Sequence, residues 1–360
     1  MSWSTRKPRL TESDASGLLP GAGKAAKALN QRRYVPPLQK LSFEARLKNS
    51  GHSSDTKLKR MLETGKFTVT GEVGPPHGAD YNLVTERTHL VKDYCDAINI
   101  TDNVRGIPTM SSMVCAHFVI KAGAEPVMQM SARDRNRILF ESELYGAHAL
   151  GIRNILFVTG DHTLLGSHPQ AKMVYDLDSI QALQLASHLM SGKDLAGEEL
   201  EGVPAFFLGA TFNPNADPLE LQVWRVEKKR DAGARFFQTQ AVYDTARLEE
   251  FMDQVEPLGV RVLAGIIPLK GPKMARFMNE RIPGIKISDE IVSRLETAGT
   301  GMKGDEKKEA VRAEGLAIAL ETIERIKTIR GISGIHIMAI GWEESIPELV
   351  RGSGLYPRPR

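Results

Sequence analysis

A carboxylate, Glu72, stands at the end of the apolar run 67–73, beside Gly71 and just before the Gly74-Pro75-Pro76 turn, in a segment with few hydrogen-bond donors of its own. A carboxyl withdrawn from water and left without donors keeps its proton to higher pH, which is what a general acid working near neutrality needs. The plainer role for such a residue is an ion pair with an Arg or Lys at the rim of the fold. Asp161 follows Thr159 and Gly160, and the glycine lets the chain turn sharply beneath the carboxylate. Gln238 and Gln240 flank Thr239 at the end of another apolar run. Each amide carries donor and acceptor together and suits the edge of a heterocycle, or else caps a neighbouring loop. Thr101, Gln129 and Ser131 end two further runs. Lys229, within Lys228-Lys229-Arg230, suits a phosphate, or is simply one of three solvated charges. Tyr175 reads as a half-buried aromatic, and Asp178 before Ser179 as a helix start.

Other chemistries are poorly provided for. The two cysteines, Cys95 and Cys115, lie in apolar runs and read as buried free thiols of a reducing compartment, so the chain is expected in the cytoplasm. They are too few for a cysteine zinc site or an iron–sulfur cluster. The nearest histidine grouping, His162 and His168, falls in a loop, so no metal site is expected. The net charge of +3 over 360 residues gives no chain-wide field for nucleic acid. No apolar stretch reaches the roughly 20 residues of a membrane span.

These side chains need a frame, and the chain supplies a repeating one. From Lys66 short apolar runs alternate with helical stretches. Eight strands are predicted, at 67–73, 97–101, 126–130, 154–159, 205–210, 234–240, 261–267 and 334–340, with helices including 82–94, 134–150, 179–190, 219–231, 245–255 and 307–330. The strands are apolar throughout, as parallel strands covered on both faces are. Eight βα units predict an α/β fold, a (β/α)8 TIM barrel, over an open doubly wound sheet, and no GxGxxG follows a strand. In a barrel, chemistry belongs at the C-terminal strand ends, where Glu72, Thr101, Gln129, Asp161 and Gln240 fall. Residues 1–60 carry 13 Lys and Arg against 4 Asp and Glu, with Pro8, Pro20, Pro36 and Pro37. Residues 1–62 are therefore read as an irregular basic N-terminal extension and 63–360 as the catalytic barrel.

Over 66–340 these strand ends, in their order and spacing, resemble the methylenetetrahydrofolate reductase family. Glu72 with Pro75 and Pro76 resembles the family's first-strand motif, whose glutamate is the general acid. Thr159-Gly160-Asp161 resembles the fourth-strand motif, whose aspartate lies by flavin and pterin. Thr239-Gln240, followed by Tyr243 and Asp244, resembles the sixth-strand motif, whose glutamine contacts folate; Gln238 is grouped with it. The resemblance implies that Thr101, Gln129, Thr159, Gly160, Asp161, Tyr175, Asp176, Asp178 and Lys229 hold a flavin, FAD before FMN. It implies reduction of 5,10-methylenetetrahydrofolate to 5-methyltetrahydrofolate, in one-carbon metabolism and methionine biosynthesis. On this resemblance Glu72 is expected to protonate N10 and the flavin N5 to donate the hydride. It further implies that NAD(P)H or a partner protein supplies the electrons, in a homo-oligomer or a complex with an electron-donating subunit.

The chain also departs from the NADH-using members. Gln129 stands where many have a flavin-contacting histidine and Thr159 where many have arginine, while Met274 and Met278 fall where nicotinamide and folate contacts lie. These changes resemble the branch of anaerobic and acetogenic bacteria, though methionines spaced i, i+4 also suit a helix core. The alternatives are a non-catalytic flavin-binding electron-transfer or scaffold subunit, a barrel enzyme acting on a phosphorylated metabolite, and a folate-binding methyltransferase.

Overall fold

The computed structural model describes residues 54–282 and 284–359. The predicted irregular extension falls outside them for residues 1–53. Eight parallel strands close into a barrel in chain order: β1 Thr68–Val73, β2 Ala97–Ile100, β3 Pro126–Ser131, β4 Asn154–Val158, β5 Phe207–Phe212, β6 Phe236–Ala241, β7 Arg261–Ile266 and β8 Ile332–Ile337. The α-helices are α1 Lys57–Glu63, α2 Asn82–Val91, α3 Ser112–Lys121, α4 Arg137–Ala149, α5 Ser179–Leu189, α6 Leu219–Asp231, α7 Thr245–Val255, α8 Pro272–Arg281, α9 Asp289–Thr297, α10 Gly304–Thr328 and α11 Ser345–Gly352. The eight predicted strands all form. β5 and β6 start two residues late because their first residues serve as loop.

Side chains alternate across a strand, so each strand has an outward and an inward set. Outward residues such as Val69, Val73, Ile98, Ile100, Met128 and Met130 pack with the helices in one continuous core. The inward set is layered. At the N-terminal end Ala97, Val127, Leu156, Phe207, Phe236 and Leu263 form an apolar floor. Gly209 makes room for it, since a Cβ there would lie 2.2 Å from the Phe236 ring.

Helix α1 closes that end. Leu58 and Leu62 insert among the floor residues. The Glu125 carboxylate accepts from the Lys57 and Leu58 amides at 2.6 and 2.9 Å, and the Thr56 hydroxyl accepts from Lys59 N at 3.1 Å. Free N–H groups of a first turn are thereby satisfied. Residues 57–62, assigned to the extension by their charge, thus form a helix of the barrel unit: their leucine spacing outweighs their lysines.

The segment after β8 also packs on the barrel. Ile346, Leu349 and Val350 of α11 join the main core. Arg358 donates to Asp96 Oδ2 at 2.5 Å and to the Phe67 carbonyl at 2.7 Å, fastening the tail to the start of β1 and β2. Cys95 and Cys115 are free and buried. Met278 is buried in a second core cluster and Met274 packs against it, the ordinary place for methionines at that spacing. Among the described residues no helix is long and apolar enough to cross a membrane, and no group of His, Cys, Asp and Glu could hold a metal.

Candidate active site

The inward residues change character toward the C-terminal end of the barrel. Above the apolar floor lies a polar layer. Gln238 donates to Asn99 Oδ1 at 3.0 Å and accepts from Asn99 Nδ2 at 2.6 Å, and its Nε2 also approaches Thr70 Oγ1 at 3.3 Å. Thr70 Oγ1 pairs with His336 Nδ1 at 3.0 Å. Burial pushes His336 down to about 3, so its ring is neutral. Gln238 is therefore at the bottom of the cup with its amide committed to protein, and not at the mouth.

Two residues beyond Thr70 on the same face of β1, Glu72 opens the next layer. No protein donor reaches its carboxylate among the described residues, and no basic side chain pairs with it. Loss of water contact, then the charge of Glu343, pushes its carboxyl up to about 7. Glu72 is thus half protonated near neutrality. The rim ion pair that was its plainer role is taken by another residue, since Arg87 faces Glu343 at 3.8 Å.

Across the mouth, the loops after β2, β3 and β4 are knotted by arginines. Buried Arg133 donates to the carbonyls of Asp161 at 3.1 Å and Asn103 at 3.0 Å and pairs with Asp134 at 2.6 Å. Arg135 reaches Asp102 and Glu143, each at 2.5 Å, and Asp102 also accepts from Ser131 N at 2.8 Å. Sequence reading passed over Arg133 and Arg135, although the run Arg133, Arg135, Arg137 directly after a strand marks charge held at the barrel mouth.

Asp161 is exposed on this scaffold, with Oδ2 accepting from Arg105 N at 2.9 Å. Arg105 and Asn103 hold left-handed backbone, at φ 56° and 46°, a conformation costly for such residues and retained where surroundings over-determine it. Gly160 has φ 89°, and a Cβ there would meet Ser131 Oγ at 2.1 Å, so glycine is required on both counts. The Tyr175 hydroxyl donates to the Gly160 carbonyl at 3.2 Å.

The remaining expected residues divide by how they are engaged. Thr101, buried, and Gln129, half-buried, have side chains without partners among the described residues. Thr159 Oγ1 donates to Ser179 Oγ at 3.3 Å. Gln240 Oε1 accepts from Ala241 N at 3.0 Å beside an irregularity in the β6–β7 register, and its Nε2 has no partner among the described residues. Asp176 pairs with Arg137 at 2.9 Å, and Asp178 caps α5 with a full capping box, the helix start its sequence suggested. Lys229 donates to the Thr211 carbonyl at 2.6 Å, and burial lowers its ammonium to about 8. Leu164, Leu165, Val174 and Tyr175 form an exposed apolar edge at the β4 loop.

The fold and site define an enzyme-like (β/α)8 barrel with an acid at the end of β1 and polar groups converging at its C-terminal mouth. Residues 57–354 match the family model for methylenetetrahydrofolate reductase, and the chain belongs to that family. It is 25% identical over 321 residues to methylenetetrahydrofolate reductase (NADH) 1 of Arabidopsis thaliana, covering 83% of this chain and 50% of that protein. It is 22% identical over 230 residues to methylenetetrahydrofolate reductase 1 of Schizosaccharomyces pombe, covering 63% and 35%. The chain thus spans half or less of these relatives' length. Among solved structures, an uncharacterized Clostridium thermocellum protein that binds two copies of 5-methyl-5,6,7,8-tetrahydrofolic acid shares the fold. That match has a TM-score of 0.58 at 15% identity and covers 83% of this chain and all of that one.

Proposed function

We propose that the chain reduces 5,10-methylenetetrahydrofolate to 5-methyltetrahydrofolate with a bound flavin, Glu72 serving as the proton donor. One observation carries the reading: the inward carboxylate of β1 stands at the mouth without a donor among the described residues and holds its proton to about 7. Family membership supplies the substrate class.

The mouth residues fit a flavin on its ring side. Thr101 and the Gln129 amide offer unpaired polar groups, Leu164, Leu165 and Val174 offer an apolar wall, and the Gly160 turn brings backbone close. Asp176, Asp178 and Lys229 act here by shaping the loops that hold the cofactor, since each is engaged by protein. When bound, the flavin supplies the hydride that reduces the methylene carbon. FAD is preferred to FMN, and NAD(P)H or a partner protein is the electron source.

Glu72 gives its proton to N10 of the substrate, the C–N10 bond breaks with its electrons going to N10, and the methylene remains on N5 as an iminium. A carboxyl near 7 suits this step, because a useful fraction is protonated and yet the proton is not held too tightly. Asp161, fixed through Arg105 N and Arg133, orients the pterin with its free oxygen, and Gln240 Nε2 holds the pterin edge. Gln238 acts indirectly, as the support under Glu72.

The test is to purify the protein, reduce any bound flavin anaerobically and add 5,10-methylenetetrahydrofolate. Return of the oxidised flavin band together with 5-methyltetrahydrofolate supports the reading. A colourless protein, or a reduced flavin that the folate does not reoxidise, contradicts it.

A further inference from the structure

Glu343 lies in the segment after β8. It is only 6% exposed. Among the described residues its Oε1 is buried without a hydrogen-bond donor, and its ion-pair partner, Arg87 Nε, is 3.8 Å away. A buried, under-satisfied carboxylate costs stability and is retained for a reason.

Its placement supplies the reason. β8 pairs with β1, so the loop leaving β8 lies beside the strand end that bears Glu72. Arg87, on α2, donates through Nη1 to the carbonyl of Gly74 at 2.8 Å. One guanidinium therefore joins the turn two residues past Glu72 to the carboxylate of Glu343. The loop itself is tightly fixed. Ile340 and Gly341 take left-handed backbone at φ 49° and 68°. Lys270 donates to the Ile340 carbonyl at 2.6 Å, Ser345 Oγ donates to the Trp342 carbonyl at 2.6 Å, and Arg312 lies 5.3 Å over the Trp342 ring.

We propose that Glu343, held by Arg87, is a positioning residue whose fixed negative charge keeps Glu72 supplied with the proton it gives to the substrate. The inference rests on Glu72 being the acid. The charged groups around the pair are Arg87 from α2, Lys270 after β7, Arg312 from α10, Glu344 next in the chain and neutral His336 in β8. None of these, but Glu343 itself, is the charge that acts on Glu72, adding to the larger effect of burial. When Glu72 transfers its proton to N10 it becomes a second carboxylate beside Glu343. Repulsion between the two then favours recapture of a proton from water, which resets the acid for the next turnover.

The experiment compares wild type with Glu343→Gln and Glu343→Asp. The titration of Glu72 is read by carbon-13 NMR of labelled glutamate carboxyls, with its signal identified by its loss in Glu72→Gln. The pH profile of the folate half-reaction is recorded alongside. In Glu343→Gln the Glu72 midpoint should fall by about one unit, and the alkaline fall in rate should move with it, an approximately tenfold loss above the midpoint. Glu343→Asp keeps the charge but draws it back, and should give an intermediate midpoint; it decides the matter if Glu343→Gln does not fold. Midpoints equal to wild type in the folded variants overturn the proposal. If Glu72→Gln retains wild-type folate turnover, the acid assignment itself fails. If Glu72→Gln is inactive while the Glu343 variants titrate as wild type, only the role of Glu343 fails.

Discussion

Gln238 and Asn99 exchange two amide hydrogen bonds, of 3.0 and 2.6 Å, between β6 and β2 on opposite sides of the barrel. They tie the barrel across its interior directly below the mouth. Asn99→Leu leaves the buried Gln238 amide with only Thr70, and a stranded polar group of this kind costs about 1–3 kcal/mol. Urea denaturation should show that loss in Asn99→Leu. The double variant Asn99→Leu with Gln238→Leu should lose less than the two single variants together.

The proton on Glu72 predicts a pH dependence of stability. The folded chain keeps that proton to about 7, whereas the unfolded chain releases it near 4.5, so within that window the folded state binds more protons. The stabilising contribution is complete below the unfolded value and is lost as pH rises through about 7. Glu72→Gln cannot ionise. Its Tm relative to wild type should therefore rise from about pH 5 to about pH 8 in thermal melts. A constant difference contradicts the raised carboxyl.

Leu58 tests the separation of the closed end from the reactive end. Its side chain fills the barrel floor, so Leu58→Ala should cost about 2–5 kcal/mol in denaturant unfolding. The folate half-reaction at saturating substrate should change little, because the proposed catalytic groups lie at the opposite mouth. A large rate loss in the folded variant contradicts that separation.

Gly160→Ala places a methyl group against Ser131 Oγ and forces a left-handed alanine, which alone costs about 1–2 kcal/mol. The variant should unfold at lower urea and, because this turn carries Asp161 and accepts from Tyr175, bind flavin more weakly by fluorescence titration. Unchanged flavin affinity contradicts the assignment of this turn to the cofactor site.

Much of the frame was legible because eight apolar runs spaced by amphipathic stretches leave few alternatives to a barrel. Glu72, Gln129 and Gln240 were visible as polar residues ending such runs, a signal that survives without knowledge of contacts. What periodicity could not tell was depth. Gln238 and Gln240 share a strand face, yet the first is locked to Asn99 and the second reaches the mouth. The helix start at Asp178 was legible locally, whereas Asp176 resembled a ligand by position but is held by Arg137, 39 residues away, since a carboxylate's partner is a long-range fact. Arg133 and Glu343 escaped notice for the same reason: their roles depend on residues 28 and more positions away. Helix α1 hid behind its lysines, with the Thr56 cap and the buried Leu58, Met61 and Leu62 as its local signs.

The most direct test divides the reaction at Glu72. Bound flavin in wild type and Glu72→Gln is reduced with dithionite and then mixed with 5,10-methylenetetrahydrofolate in a stopped-flow spectrometer. Both proteins should bind and accept electrons into the flavin alike, while reoxidation by the folate should slow by about 10²–10⁴-fold in the variant. Equal reoxidation rates, or equal loss of flavin reduction and folate reduction, would contradict Glu72 as the proton donor.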